Sequence, residues 1–275
     1  MTDALPDRRP WSEGEAKAQG LAGAAAPPAL IRTFATEQHR EFFPRLPMLF
    51  VAGLDASGAP VASLLRGAPG FLSLPEPRRL EIAAAFPEGD AMTREKGAPF
   101  GAIGVEFATR RRNRINGRIL AASADRMTVA VEEAFGNCPK YIVPRALLLG
   151  DAGAWTDLPA FDAQAQAMIA GATVFFVATR GPDGVDMSHR GGPPGFVRIE
   201  TNGALRIPDF PGNRFFNTFG NLLADPRAAL LFLDFPAGRA LQLTGAARVE
   251  FTGEERFWTF TPRAARLLSA EPFGT

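Results

Sequence analysis

Ser188, His189 and Arg190 stand in a row and are followed at once by Gly191 and Gly192. A hydroxyl, an imidazole and a guanidinium beside backbone that other groups can approach closely form a donor set suited to an anion. Asp209 to Phe216, with Gly212, Asn213 and Arg214, leads into a short helical stretch through Leu223, and the amino terminus of a helix favours negative charge. If their strands are neighbours, the two segments meet around a phosphate-bearing ligand. A third cluster, Asn137 to Tyr141, places the only cysteine and the only tyrosine beside Lys140. It reads either as a further anion contact or as a turn closing a β unit. Cys138 itself reads as a buried, inert thiol. The densest charge run, Arg110, Arg111, Arg112 and Arg114, is either an anion patch or a solvated strand end. The solvated end is preferred, because 30 basic and 29 acidic residues leave a formal net charge of +1.

Other chemistries are excluded by what the chain lacks. One cysteine permits neither an internal disulfide nor a zinc site with several thiolates. There is no GxSxG, HExxH, Walker loop or GxGxxG, so hydrolases and kinases are poor candidates. His39 reads as structural or exposed. His189 reads as a cofactor contact or as an exposed turn residue.

The elements that must position these residues read mostly as strands. Hydrophobic residues at 46% and charged residues at 21% give a globular protein with a core. No stretch reaches the eighteen apolar residues of a membrane span, and MTDALPDRRPWSEGE lacks the apolar core of a secretion signal, so the expected location is cytoplasmic, with no membrane partner. Residues 1–30, rich in Ala, Gly and Pro and ending in Ala24, Ala25, Ala26, Pro27 and Pro28, read as a flexible or draped arm. Ile31 to Phe43 reads as a short amphipathic helix stopped near Pro44. Short apolar runs follow at Met48–Leu54, Val61–Leu65, Phe71–Leu74, Leu80–Ala84, Gly101–Thr109, Arg118–Ala122 and Met127–Phe135. They are joined by turn residues such as Asp55, Ser57 and Gly58, and Asn116 with Gly117. Ala163–Ile169 reads as a linking helix.

An internal repeat organises the whole. FVAGLDASGAPVASLLRGAPGFLSL from Phe50 aligns with FVATRGPDGVDMSHRGGPPGFVRI from Phe176, so that Pro69, Gly70 and Phe71 match Pro194, Gly195 and Phe196. Leu80 and Ile82 match Leu205 and Ile207 at the same spacing, and Gly117 pairs with Gly245 after a small insertion. A strand order kept twice implies two similar β units, closed or nearly closed so that no long edge is left bare. The alternative is one large β-sandwich with recurring turns. The expected organisation is an arm over 1–30, a first barrel over 31–157 and a second, ligand-binding barrel over 158–275.

In the second copy, Val185 to Arg190, PGFVRI, LRIPDFPGN, RFFNTFGNLLADPRAALLFLDF and LQLTGAARV follow one another in an order that resembles the FMN-binding split barrels of the pyridoxamine 5'-phosphate oxidase family. The resemblance covers about Phe175 to Phe251, and the first copy repeats its framework from about Leu49 to Leu120. EAFGNCPKYI, Glu133 to Ile142, also looks like a segment of bacterial members. The resemblance implies an all-β dominated fold, with short helices, made of two tandem split β-barrels, and FMN as cofactor. Ser188, His189, Arg190, Phe196, Pro208, Asp209, Asn213, Arg214, Asn217, Asn221 and Lys140 would hold it. FAD, a tetrapyrrole or a deazaflavin stays open as the ligand. Where the family's oxidases carry an Arg-Lys pair at the start of the helix, this chain has Asn217 and Thr218, so either the charge comes from Arg190 or Arg214 or the affinity is lower, and pyridoxamine phosphate specificity is not implied. The first copy has Ser63, Leu64 and Leu65 in place of Ser188, His189 and Arg190, with Arg66 adjacent, and is expected to bind no second flavin.

Related barrels pair as homodimers with flavin between subunits, so the first barrel either stands in for a partner or pairs with another chain. The implied function is an FMN-dependent oxidoreductase acting on a small molecule, with a reduced nicotinamide as a candidate donor and no side chain assigned as acid or base. The alternatives are a flavin-binding or storage protein without turnover and a ligand-sensing barrel. A nucleic-acid partner is not expected.

Overall fold

The computed structural model describes residues 7–23, 27–28, 30–148, 151–158, 162–252 and 255–270. A helix, α1 (Glu13–Leu21), is followed by a second, α2 (Glu37–Phe42), which runs into one turn of 3-10 helix at Phe43–Arg45. Seven strands come next: β1 (Met48–Leu54), β2 (Pro60–Arg66), β3 (Leu72–Glu76), β4 (Arg79–Ile82), β5 (Pro99–Glu106), β6 (Arg111–Ala122) and β7 (Met127–Gly136). After β8 (Ala154–Leu158) and α3 (Ala163–Gly171) lie β9 (Val174–Gly181), β10 (Gly184–Gly191), β11 (Arg198–Ile199) and β12 (Leu205–Pro208). Last come α4 (Asn217–Ala224), β13 (Arg227–Asp234), β14 (Arg239–Thr252) and β15 (Glu255–Ser269).

The strands form two antiparallel sheets with the same internal order. The first runs β2-β1-β5-β6-β7-β4-β3 and the second β10-β9-β13-β14-β15-β12-β11, with β8 added against β15. This is the expected all-β, split-barrel architecture. The expected boundary at 157/158 falls inside β8, whose pairing with β15 places it in the second sheet.

Three apolar clusters explain why the central strands read as unbroken hydrophobic runs. Leu49 and Val51 of β1 face the core of the first sheet, whereas Met48, Phe50 and Ala52 face a second cluster shared with Phe176 and Ala178 of β9. Phe175 and Val177 turn the other way, into the core of the second sheet. A strand with period two that lies between two cores is apolar at every position. Phe50 and Phe176, matched in the repeat, stack on each other with centroids 3.6 Å apart and planes at 15°. Corresponding residues meet in this way across a two-fold-like interface.

Several local expectations are corrected. The helix expected over Ile31–Phe43 is only α2 with its 3-10 turn, because Arg32 instead pairs with Ala134 of β7 through both backbone groups (3.1 and 2.8 Å). The arm is not simply draped: Ser12 and Glu15 form a capping box that starts α1, and Ala18 is fully buried in the second core. Residues 1–6, 24–26 and 29 of the arm lie outside the described residues. Asn116 and Gly117 form no turn; they sit inside β6 at a bulge, and Thr244/Gly245 in β14 form the matching irregularity. The first β-hairpin turn is as expected, with Asp55 Oδ1 accepting from the backbone of Ser57 and Ala59 (2.8 and 2.9 Å). No helix among the described residues is long and apolar enough to cross a membrane.

Candidate functional site

A cavity of about 440 Å³ opens between β6, β10, the β12–α4 connection and the end of α1. Ser188, His189, Arg190, Phe196, Pro208, Asp209, Asn213, Arg214, Asn217 and Lys140 all line it, so the structure brings ten of the expected residues together. Asn221 is not among them: it is one turn further along α4, where its Nδ2 donates to Thr179 Oγ1 at 3.0 Å. The cavity adds Arg112, Arg114, Asn137, Tyr141, Phe210, Phe216, Thr218 and Arg256.

Cations dominate its walls. Arg112, Arg114, Lys140, Arg190, Arg214 and Arg256 face it against a single carboxylate, Asp209. Asp209 bridges two of them, accepting from Arg190 NH1 at 2.6 Å and from Arg256 Nε at 3.0 Å. Arg190 therefore shares one carboxylate with Arg256, and the three side chains together keep a net positive charge. Arg114 is paired with Asp186 at 2.8 Å. Among the described residues Arg112 has no ion pair. Burial, then the charges of Arg114 and Arg190, push it down to about 9, so it is still a cation at neutral pH and lacks an anion.

His189 is locked by Arg112, whose NH1 donates to Nδ1 at 2.6 Å. Arginine has no acceptor, so Nδ1 carries the lone pair and Nε2 the proton. Burial, reinforced by Arg112, Arg114 and Arg190, holds the imidazole well below its ordinary range, hence neutral. Among the described residues its Nε2 is buried without a hydrogen-bond partner, as are Nε of Arg112, Arg114 and Arg190 and both amide atoms of Asn137. Buried donors are normally satisfied, and a cluster of unsatisfied ones fits an acceptor-rich ligand. The imidazole is buried and is not the exposed turn residue that the sequence also allowed.

Ser188 donates to Asp186 at 2.8 Å and accepts from Thr218 at 2.9 Å, which ties β10 to the first turn of α4. No side chain caps α4, and its N-cap Phe216 is left-handed (φ 59°), as is Arg214 (φ 63°). Left-handed non-glycine residues cost about 1–3 kcal/mol each and cluster at functional sites. The glycines after Arg190 serve the protein's own packing. A Cβ on Gly191 would stand 2.1 Å from the Tyr141 carbonyl, and one on Gly192 2.6 Å from the Phe196 ring. Tyr141, with φ 65°, stacks on Phe210 at 5.3 Å and donates to Pro211 O at 3.1 Å, closing one side of the cavity. Cys138 is half-buried beside this flap, not fully buried as expected. Among the described residues no group of three or more His, Cys, Asp or Glu could hold a metal ion.

The position that corresponds by strand register carries different side chains. Phe50 pairs with Leu64 and Ile103 where Phe176 pairs with His189 and Leu231, so Leu64 stands for His189. By the same register Gln242 and Ala240 of β14 stand for Arg114 and Arg112. Gln242 turns inward and donates to Ala62 O at 2.6 Å.

A connection of two left-handed residues into a helix, set against a Ser-His-Arg strand, is the part of the chain that the family pattern covers. Residues 161–272 match the family model of pyridoxamine 5'-phosphate oxidase. That pyridoxamine 5'-phosphate oxidase match takes in β9–β15 and most of the cavity wall, but not Arg112, Arg114 or Lys140. Solved structures similar to the chain include a NimC/NimA family protein from Clostridium acetobutylicum (16% identity, TM-score 0.31), which covers 41% of this chain and 91% of its own. An FAD-binding protein from Mesorhizobium loti (10% identity, TM-score 0.32) covers 43% and 98%, and HupZ from group A Streptococcus (15% identity, TM-score 0.29) covers 37% and 92%. No curated protein matches the chain in sequence.

Proposed function

We propose that the chain binds one flavin mononucleotide in the cavity and acts as a flavin-dependent oxidoreductase on a small molecule. The observation that carries this reading is a cavity of about 440 Å³ walled by six cationic side chains and one carboxylate, with buried donors among its lining residues that find no partner among the described residues. Arg112, the Nε2–H of His189 and the opening turn of α4 would hold the phosphate, with Ser188 and Thr218 bracing β10 against that turn. Phe196, Pro208, Phe210, Phe216 and Tyr141 would flank the ring system. The residues present fit both ends of such a ligand. When bound, a flavin supplies reversible two-electron chemistry, and the protein's part is binding, orientation and electrostatics.

The shared strand order supports a duplicated barrel, the first copy taking the place of a partner subunit and contributing Arg112, Arg114 and Lys140. His189 is held neutral by burial, and the one carboxylate of the cavity wall, Asp209, is tied to two arginines. That same observation favours a second reading, a flavin carrier without turnover. The test is an absorbance spectrum of the purified protein with and without added FMN, followed by reduction with NADH or NADPH. Flavin bands and nicotinamide-dependent bleaching support the oxidoreductase, bands without bleaching support the carrier, and no bands with no uptake of FMN remove both.

A further inference from the structure

Residues 9–23 are wired into the cavity. Ala22 and Gly23 form part of its wall. Upstream, α1 meets α4 backbone to backbone: a Cβ on Gly14 would stand 2.4 Å from Gly220 O, and one on Gly220 2.6 Å from Glu15 N. Only glycine at both positions allows this approach. It delivers Glu15, 2% exposed, to the first residue of α4, where Asn217 Nδ2 donates to Glu15 Oε1. Glu15 Oε2 accepts from Ser12 N at 2.8 Å and from Arg9 NH1 at 2.7 Å.

Arg9 extends the line, because its Nε donates to Glu133. Asn116 Nδ2 donates to Glu133 at 2.8 Å and to Asp186 at 3.2 Å. Asp186 in turn receives Arg114 and Ser188, both at 2.8 Å, and both line the cavity. The line runs Glu15, Arg9, Glu133, Asp186 and Arg114, with the Asn116 amide placed between the two adjacent carboxylates. A buried polar chain in which neighbours satisfy one another fixes the rotamer of each member.

We propose that Glu15 is a positioning residue for the ligand: it fixes Asn217 and the first turn of α4 against the cavity and, through Arg9, Glu133, Asn116 and Asp186, sets Arg114 and Ser188. The role rests on the reading of the cavity as a flavin site. The test compares full-length Glu15→Ala, Glu15→Gln and unmodified protein by FMN titration. It adds amide hydrogen exchange at Gly220, whose bond to Phe216 O at 2.7 Å closes the first turn of α4.

Glu15→Ala is expected to weaken FMN binding about tenfold or more, as the loss of a charge-assisted hydrogen bond does. Exchange at Gly220 should quicken while β13 stays protected. Glu15→Gln, which keeps an oxygen toward Asn217, should fall between the two. Unaltered affinity and exchange in Glu15→Ala would overturn the proposal, and so would equal losses in both variants with faster exchange throughout the protein. Should the unmodified protein take up no FMN, the flavin reading fails by itself, and the exchange arm still decides: quickening confined to Gly220 upholds the positioning role and no change removes it.

Discussion

Arg112 is the side chain on which the site's electrostatics turn. Asp209 pairs with Arg190 and Arg256, and Asp186 with Arg114, which leaves Arg112, Lys140 and Arg214 without a carboxylate among the described residues, and of these Arg112 is held against a neutral His189. Replacing His189 with Phe removes the acceptor that orients Arg112 and the donor at Nε2. FMN affinity measured by fluorescence quenching should fall roughly tenfold, and an unchanged affinity would mean that the imidazole faces no ligand. At this scale the sequence was informative in part. Ser188, His189 and Arg190 were visible because three donor types precede two glycines. Arg112 and Arg114 were hidden in a run of arginines read as a solvated end. The strand period of two puts both on one face with Asn116, and that signal could have separated them from Arg111. Arg256 carried no local signal at all, since a cross-strand pairing between β12 and β15 brings it to Asp209.

The elements show where backbone, more than side chain, sets the shape. Gly117 lies at the β6 bulge, and a Cβ there would be 1.8 Å from Ala130 O. Gly117→Ala should destabilise the protein by about 1–3 kcal/mol in urea unfolding. Gly20 is the counter-case within α1, with nothing within 4 Å of its would-be Cβ. Gly20→Ala should stabilise by about 0.5–1 kcal/mol, and a loss there would contradict the described packing of α1. Most strands were legible because β1, β2, β9 and β13 are apolar on both faces. α1 was not, although Ser12 and Glu15 spell a capping box, because its stability comes from contact with α4 far along the chain.

For the whole molecule, the apolar seam between the two sheets holds the site together, because β6 of one sheet and β10 of the other both line it. Phe50→Ala should cost roughly 3–5 kcal/mol, since it empties half of the Phe50–Phe176 stack, and should weaken ligand binding in parallel. Stability should also depend on pH through the two buried histidines. Burial pushes His39 down to about 4 from an ordinary 6.5, and His189 moves in the same direction. The unfolded chain takes up protons near pH 6.5 that the folded chain refuses, so stability is full above that value and declines as pH falls toward 4. His39 alone accounts for about 3 kcal/mol at the lower end. Urea midpoints that do not fall between about pH 7 and 4.5 would contradict the burial of both rings. The matched segments made the two-sheet plan legible, and the register of Phe50 and Phe176 places Leu64, Gln242 and Ala240 where His189, Arg114 and Arg112 stand at the cavity.

The measurement that bears most directly on this account is a calorimetric FMN titration of the full chain beside its Arg112→Ala variant. The account predicts one FMN per chain and, in the variant, a dissociation constant raised roughly tenfold to a hundredfold with the same fold by circular dichroism. Wild-type affinity in Arg112→Ala, or two FMN per chain, would contradict a single anion site built from both sheets.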